Sequence, residues 1–386
     1  MAKLQAIWGG EHKHLFHMTL VLVLLSAPVR GVELGGYYKN LLIDSETVLG
    51  EKADYWLDIN RLRLDISESW QQFELELVYD HEIQVGRYLE TLQFRQLVEM
   101  DDPRYWEWQG NSLDRKDVYG SHQLYRGTVK YRGDNVDVRV GRQQINWATA
   151  LIWNPLDLFN PLSPLQLERD ERTGVDAVLL DISTQDLSRW SFVYAPMRDA
   201  SDASGAVRFK SNAYALDWSI MTGKFANENK LGLGLASQVG MVGLRSEIVF
   251  SDSDTRQRYS EWVVSADYTT LSGTSFLIEG YFNGDGESTP ANYDFNLLIS
   301  GKKFGLARRY LGAKVEKDLT QLMTLALYAI SNLDDHSYFL FPSASYAVPG
   351  FEDLYLEGGA QLFYGGETDE YGFFNHLYYT ELTLYF

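Results

Sequence analysis

Hydrophobic and polar residues alternate with a period of two along most of the chain. In residues 73–80 the odd positions are Phe, Leu, Leu and Tyr, whereas three of the four even positions are acids. Residues 136–140 repeat the pattern, with valines on either side of Asp137 and Arg139. Because successive side chains of a strand point to opposite faces, this alternation predicts β-strands. Helical stripes with i, i+3, i+4 spacing are scarce, so the sequence predicts an all-β chain.

Two all-β architectures would produce this alternation: a soluble sandwich or propeller, and a transmembrane antiparallel up-and-down β-barrel. Tyr and Trp at strand ends, such as Tyr37, Trp56 and Trp70, favour the barrel, because aromatic girdles flank its apolar outer band. Full charges along the polar faces fit a water-filled lumen. Short turns alternate with long acidic loops, as expected of periplasmic and external connections. The sequence therefore predicts a transmembrane barrel.

The number of alternating segments predicts about 18 strands, with 16 as the alternative. Residues 203–222 are either one long crossing or two short strands hinged near Asn212. Bacterial single-chain barrels have even strand numbers, and this parity favours the split and a total of 18. The other segments are residues 33–45, 56–67, 73–85, 123–133, 136–146, 176–185, 189–197, 229–238, 241–250, 259–270, 274–283, 309–318, 323–332, 337–347, 353–365 and 376–386.

The C-terminal segment carries an aromatic signature. The chain ends in Phe386, with Leu384, Leu382 and Tyr378 on the same face. This ending resembles the last strand of Gram-negative outer-membrane proteins, in which a terminal aromatic residue serves as the insertion signal. The resemblance implies a location in the cell outer membrane. It also implies that the lipid bilayer, lipopolysaccharide and the barrel-assembly machinery are partners.

The N-terminus predicts export. Lys3 and Lys13 precede the apolar run of residues 18–25, which is followed by small residues up to Gly31. A basic start, a short apolar core and small residues near a cleavage position describe a secretory signal peptide. We expect residues 1–31 to be the cleaved signal peptide and residues 32–386 to form the barrel; the alternative for the N-terminal segment is a short membrane anchor.

The third external loop, residues 147–175, is the most informative segment. Its Trp and Phe side chains are too apolar for a free surface loop, and its Asn-Pro pairs stiffen and turn the backbone. We expect the loop to fold back into the barrel and constrict the lumen by opposing charges. The alternative is that it only caps or stiffens the barrel. The residues expected to fold the loop are Trp147, Trp153, Asn154, Pro155, Asp157, Phe159, Asn160 and Pro161. The candidate constriction residues are Arg142, Glu168, Arg169, Asp170, Glu171 and Arg172.

The same segment carries a second resemblance. Gly-Arg-Gln-Gln-x-x-Trp at residues 141–147 is followed by Trp-Asn-Pro-x-Asp-Leu-Phe-Asn-Pro at 153–161 and by an Arg/Glu cluster before Gly-Val-Asp at 174–176. This pattern resembles a largely uncharacterised, porin-like family of Gram-negative outer-membrane barrels. Ala148 and Ala150 stand where glycines are expected. The resemblance implies a barrel with an inward loop and implies no particular substrate.

Composition excludes several other functions. The absence of cysteine excludes disulfides, thiolate zinc sites and covalently attached c-type haem. A net charge of −19 without a Lys/Arg cluster argues against nucleic acid as a partner. The histidines beyond residue 31 do not have metal-ligand spacing, and the sequence has no G-x-S-x-G motif. We expect no metal, no cofactor and no enzymatic activity.

Three functions fit a barrel of this kind. The first is a porin-like channel for passive passage of small hydrophilic solutes, with a preference for cations if the lumen shares the acidic balance. The second is the sheath of an outer-membrane electron conduit, which would enclose a multihaem c-type cytochrome as its partner. The third is a surface-binding or anchoring barrel, in which Tyr105, Trp106 and Trp108 stack on sugars.

Overall fold

The computed structural model describes residues 31–50, 52–100, 102–168, 173–184, 187–253, 257–299 and 303–386. Residues 1–30 of the expected signal peptide lie outside these ranges. The candidate constriction residues Arg169, Asp170, Glu171 and Arg172 lie outside them as well. No helix in the described part of the chain has the length and apolar character needed to cross a membrane.

The described residues form nineteen antiparallel strands, and eighteen of them make a closed wall. Each wall strand pairs with its neighbours in chain order. The strand outside the wall is β4, which pairs only with the outer half of β5, so that β3 and β5 are direct neighbours in the wall. The strands are β1 (Val32–Glu46), β2 (Asp54–Trp70), β3 (Phe73–Val85), β4 (Gln109–Asp114), β5 (Val118–Arg132), β6 (Val136–Gln143), β7 (Val175–Ser183), β8 (Arg189–Ala195), β9 (Ser204–Ala213), β10 (Leu216–Phe225), β11 (Glu228–Val239), β12 (Val242–Ser253), β13 (Tyr259–Thr269), β14 (Thr274–Asn283), β15 (Arg309–Thr320), β16 (Met323–Asn332), β17 (Tyr338–Ala347), β18 (Leu354–Tyr364) and β19 (Leu377–Tyr385).

The first and last strands close the barrel. β1 pairs with β19 from Tyr37 opposite Tyr385 to Ser45 opposite Leu377. Gly36 and Phe386 extend this ladder, since each backbone N–H donates to the other's carbonyl at 3.1 Å. Closure satisfies the backbone groups that an open sheet would leave unpaired in lipid.

The expected count of 18 wall strands is confirmed. Residues 203–222 are split into two strands, but the turn falls at Tyr214 and Ala215 rather than at Asn212. Both turn residues have positive φ, 54° and 60°. This is the backbone of a two-residue hairpin turn whose twist matches that of the flanking strands.

The outward face is apolar, as a lipid-facing surface requires. Leu231, Leu233 and Leu235 of β11 all point outward and are 40–44% exposed. The C-terminal residues Tyr378, Leu382, Leu384 and Phe386 are also exposed on this face. Trp56 and Trp70 lie near opposite ends of β2, at the levels of the two aromatic girdles. Most charged side chains of the wall lie on the lumen-facing side; Asp58, Arg142 and Asp176 are among the exceptions.

Long connections lie at one end of the barrel and short turns at the other. The long ones contain two short helices, α1 (Leu92–Val98) and α2 (Phe295–Ile299). The short turns include residues 71–72, 133–135 and 240–241. Long external loops and short periplasmic turns are the usual arrangement in such barrels, so the long end is extracellular.

Candidate functional site

The loop between β6 and β7 spans residues 144–174, and we call it the third loop. Its described residues, 144–168 and 173–174, fold into the lumen. Its Trp147, Leu156 and Phe159 are 1–7% exposed. They form one apolar cluster with inward-facing residues of the wall, among them Ala177, Leu179, Val193, Met221 and Val249. The apolar residues that are unusual for a surface loop are therefore buried against the inside of the barrel, as expected for an inward loop.

A buried carboxylate of β12 holds the start of this loop. Glu247 is fully buried. Its Oε1 accepts hydrogen bonds from the backbone N–H of Thr149 and from that of Ala150 at 2.7 Å. Its Oε2 accepts from the N–H of Leu156 at 3.0 Å. A loop that leaves the strand ladder must find acceptors for its N–H groups, and this side chain supplies three.

A second buried carboxylate, on β14, holds the residues between these. Glu279 is also fully buried. It accepts from the N–H of Leu151 at 3.1 Å, of Ile152 at 3.1 Å and of Trp153 at 2.7 Å. Hydrogen bonds to an ionised acceptor are roughly twice as strong as neutral ones. Residues 149–156 are thus fixed to the wall at β12 and β14.

Glycines on the wall make room for this close approach. A Cβ on Gly232 of β11 would lie 2.4 Å from Leu156 Cδ2. A Cβ on Gly312 of β15 would lie 2.7 Å from Ile152 Cδ1 and 2.9 Å from the Trp153 ring. Trp153 stacks on Tyr281 with ring centroids 5.3 Å apart. Any larger residue at these two positions would push the loop off the wall.

The far end of the loop contacts the opposite wall. Glu168 accepts hydrogen bonds from Lys39 of β1 at 3.0 Å and from Arg61 of β2 at 2.7 and 3.0 Å. Gln361 of β18 donates to the Leu165 carbonyl at 2.9 Å. In the closed wall of eighteen strands, β1 and β2 lie eight and nine strands from β12, and six and seven strands from β14. The third loop therefore crosses the lumen.

Electrostatics hold Glu168 in its ionised form. Burial alone would raise the pKa of its carboxyl, but the charges and hydrogen bonds of Arg61 and Lys39 outweigh burial and lower that pKa to about 2. Lys39 also pairs with Glu381 at 3.0 Å, and Arg61 with Glu82 at 2.8 Å. The loop thus ends in a network of charges inside the barrel.

The Asn-Pro pairs shape the middle and the stems of the loop. The Asn154 carbonyl accepts from the Asp157 N–H at 3.0 Å, which closes a turn around Pro155. Asn160, which precedes Pro161, uses both ends of its amide. Its Oδ1 accepts from the Ile145 N–H at 2.8 Å and its Nδ2 donates to the Thr173 carbonyl at 2.5 Å. One amide therefore ties the two stems of the loop together.

Arg142 does not lie at a constriction, and that expectation is wrong. In the β6–β7 ladder it is opposite Asp176, two residues beyond the outward-facing pair Val140 and Val178, so it lies on the outward face. Its fully buried guanidinium binds the Asp176 carboxylate at 2.9 and 3.1 Å and the carbonyl of Trp106 at 2.6 Å. The connection between β3 and β5, which contains Trp106 and Trp108, covers this ion pair, so Arg142 fastens that connection to the outside of the wall.

The sequence did not predict which wall residues bind the third loop. Glu247, Glu279, Lys39 and Arg61 all belong to strands, and the alternation alone places them on the inward side. What the sequence does not reveal is which segment they contact, since Glu247 and Thr149 are 98 residues apart. An acid in the middle of an inward face, with a glycine on the neighbouring strand, is the only local signal.

A cavity of about 290 Å³ lies between the third loop and the extracellular ends of β11, β13 and β14. Two ion pairs of 2.8 Å line it, Lys230 with Glu228 and Lys303 with Asp285. Glu261 accepts a hydrogen bond from the Tyr281 hydroxyl at 2.6 Å. Its other lining residues include Trp153, Asn154, Asp157 and Tyr259. The cavity thus combines aromatic faces with more carboxylates than cations among its described residues.

These features define a closed transmembrane β-barrel of the outer-membrane type with a loop across its lumen. No family model and no curated protein matches the sequence. Among solved structures, the chain is similar to Acinetobacter baumannii OccAB2, with a TM-score of 0.57, 10% identity and coverage of 92% of this chain and 98% of that chain.

Two Pseudomonas aeruginosa proteins are similar to the same degree. The outer membrane protein OpdK has a TM-score of 0.58, 10% identity and coverage of 92% and 98% of the two chains. OccK2 (OpdF), solved in complex with glucuronate, has a TM-score of 0.56, 10% identity and coverage of 92% and 96%. At these identities the likeness establishes the fold, which is that of Gram-negative outer-membrane barrels.

Replacing both anchoring acids, Glu247→Gln with Glu279→Gln, should release the third loop while the wall stays folded. Each amide keeps one acceptor but turns an NH₂ group toward a backbone N–H, which costs about 1–3 kcal/mol per unsatisfied donor. Limited proteolysis in detergent should then cleave within residues 147–168 at least several-fold faster than in the parent. The matched control is Glu316→Gln on β15, which faces the lumen away from the loop. Equal cleavage in all three proteins would contradict the anchoring role.

Proposed function

We propose that the protein is an outer-membrane channel that allows passive passage of small hydrophilic solutes and is constricted by the third loop. The observation that carries this proposal is the loop itself, fixed to β12 and β14 by Glu247 and Glu279 and reaching Lys39 and Arg61 on the opposite wall. A loop across a wide barrel narrows the lumen without changing the wall. Charges at its end can then select solutes by size and charge.

Similar barrels support a small solute as the cargo. OpdK was crystallised with vanillate and OccK2 with glucuronate, and both are small organic molecules. This chain shares their fold at low identity, and we therefore propose that it also passes solutes of about this size.

The cavity above the third loop favours cationic solutes. Lys230 and Lys303 are each neutralised by a carboxylate partner within the cavity. Glu261 remains as a carboxylate with a hydroxyl partner, beside the rings of Tyr281 and Tyr259. A carboxylate next to aromatic faces suits an ammonium or guanidinium group. A solute entering from outside would meet this cavity before the constriction.

The other two functions have less support. A sheath around a multihaem cytochrome needs a lumen open to a second protein, and the third loop occupies that space. A sugar-binding surface needs free aromatic faces, but Trp106 stacks on Trp108 at 5.1 Å and Trp108 covers the Arg142 guanidinium at 5.3 Å. These contacts occupy one face of Trp106 and both neighbours of Trp108, which leaves Tyr105, 53% exposed, as the main open ring.

Conductance of the purified barrel in planar bilayers tests the proposal. We expect discrete channels, and we expect replacement of residues 147–174 by a short Gly-Ser linker to raise the unit conductance at least about twofold, because the constriction sets the resistance of the pore. The haem absorbance of the native preparation is the control for a cytochrome sheath. A folded, haem-free barrel without conductance in either form would refute the channel.

Removing the cavity carboxylate should weaken cation preference. One unit charge about 5 Å away stabilises a passing cation by about 0.8 kcal/mol in water and destabilises an anion by the same amount. Glu261→Gln should therefore lower the cation-to-anion permeability ratio by up to about sixteenfold. The reversal potential in a salt gradient measures this ratio. Glu316→Gln, outside the cavity, is the matched control. An unchanged ratio in Glu261→Gln would remove the cavity from the selectivity mechanism.

A further inference from the structure

A hydrogen-bonded polar network lies on the outer surface of the barrel. The Asn40 amide donates to Asp58 at 2.6 Å and to Asn60 at 3.2 Å. The Asn60 amide donates to Asp58 at 3.1 Å, and the Tyr38 hydroxyl donates to Asn60 at 2.5 Å. These four side chains belong to β1 and β2. They form one patch that includes a carboxylate.

The network faces lipid rather than the lumen. Lys39 and Arg61 contact Glu168 of the third loop and therefore point inward. Their neighbours Asn40 and Asn60 point outward, because side chains of a strand alternate. Trp56 marks the external girdle on the same face of β2. Asn60 lies four residues below it, which corresponds to a depth of about 10 Å for a strand tilted by about 40°.

Two histidines extend the polar patch along the wall. His81 of β3 lies opposite Leu62 of β2, and His122 of β5 lies opposite His81. Both share the outward face with Leu62, but His122 also lies against β4, where its Nε2 would be 3.1 Å from a Cβ on Gly110. Together with Tyr38, Asn40, Asp58 and Asn60 they form what we call the polar belt, which spans four adjacent wall strands.

The members of the belt differ in depth, because rows of paired residues climb around the barrel. A row that begins at Trp70, beside a periplasmic turn, reaches Thr222, three residues from the outer end of β10. Its members are Trp70, Phe73, Tyr131, Val138, Leu180, Phe192, Val207 and Thr222. A tilt of about 40° and a strand spacing of about 4.8 Å give a climb of about 3 Å per strand. Relative to Leu62, Asn40 is then about 2 Å, His81 about 3 Å, Asn60 about 5 Å, His122 about 6 Å and Asp58 about 10 Å nearer the outside, whereas Tyr38 is about 3 Å nearer the periplasm. Asn40, Asn60 and His81 therefore share one level to within about 3 Å.

Lipid is a poor environment for such a belt. Other parts of the wall carry Leu233, Val264 and Ile278 on the outward face, all exposed and apolar. A carboxylate and several amide groups inside the apolar band are destabilising unless another protein surface covers them. The belt is therefore expected to face protein.

We propose that a second copy of this chain covers the belt in the membrane. Two copies in one membrane are related by a two-fold axis along the membrane normal, which brings residues of equal depth together. The belt is self-complementary, because the side-chain amides of Asn40 and Asn60 carry both an acceptor oxygen and N–H donors at one level. A different partner would need its own polar groups at the same depth. A second copy has them by symmetry.

Cysteine cross-linking tests this contact cleanly, because the chain has no cysteine of its own. Leu62→Cys places one thiol in the middle of the belt without removing a polar side chain. Leu233→Cys on β11 is the matched control, since both leucines point outward and are 40% exposed. In native outer membranes, a short bismaleimide should convert Leu62→Cys to a species of twice the monomer mass at least fivefold more than Leu233→Cys.

A second variant tests whether the polar side chains of the belt hold the two copies together or whether the copies only lie close to each other. Asn40→Leu with Asn60→Leu, added to Leu62→Cys, should leave a heat-modifiable barrel but lower the cross-linked yield at least fivefold. Equal cross-linking with and without these amides would overturn the role of the belt. Cross-linking of Leu62→Cys to a different protein, or no cross-linking while the thiol remains reactive, would overturn the self-association. Neither result depends on channel activity.

Discussion

Six backbone N–H groups of the third loop end on two buried carboxylates, and the arrangement of the lumen depends on this interaction. Glu247 and Glu279 each accept three of them. A loop without strand partners must satisfy its N–H groups, and water would do so at the surface. Inside the barrel the two carboxylates replace water. In return, the loop's N–H groups compensate two charges whose burial would otherwise be destabilising.

In each wall strand, alternate side chains face the lumen and the membrane. β2 presents Arg61 to the third loop and Asn60, its neighbour, to the membrane. The inward residue positions the constriction, and the outward residue belongs to the belt that we assign to self-association. The two surfaces are therefore coupled in sequence but separate in space. Substitutions on one face leave the side chains of the other face in place.

The sequence predicted the wall well because the period-two pattern reflects the physical difference between lipid and lumen. It predicted both halves of residues 203–222 and the inward loop, since Trp147 and Phe159 have no stable place on a surface. The error at Arg142 was avoidable, because Arg142 shares its parity with Val140, which faces outward. The pairing of Glu247 and Glu279 with the loop was not accessible, because it joins residues about a hundred positions apart and no local pattern encodes it.

The central claim is that the third loop spans the lumen to β1, and a proximity measurement tests it most directly. In the cysteine-free chain, a Lys39→Cys/Glu168→Cys pair replaces side chains whose charged atoms lie 3.0 Å apart. A short bifunctional thiol reagent should join the two within one molecule in native membranes, as detected by peptide mass spectrometry. It should not join Lys39→Cys to Leu158→Cys, which lies on the other side of the loop. Failure of the first pair to cross-link while both thiols remain reactive would contradict a loop that crosses the lumen.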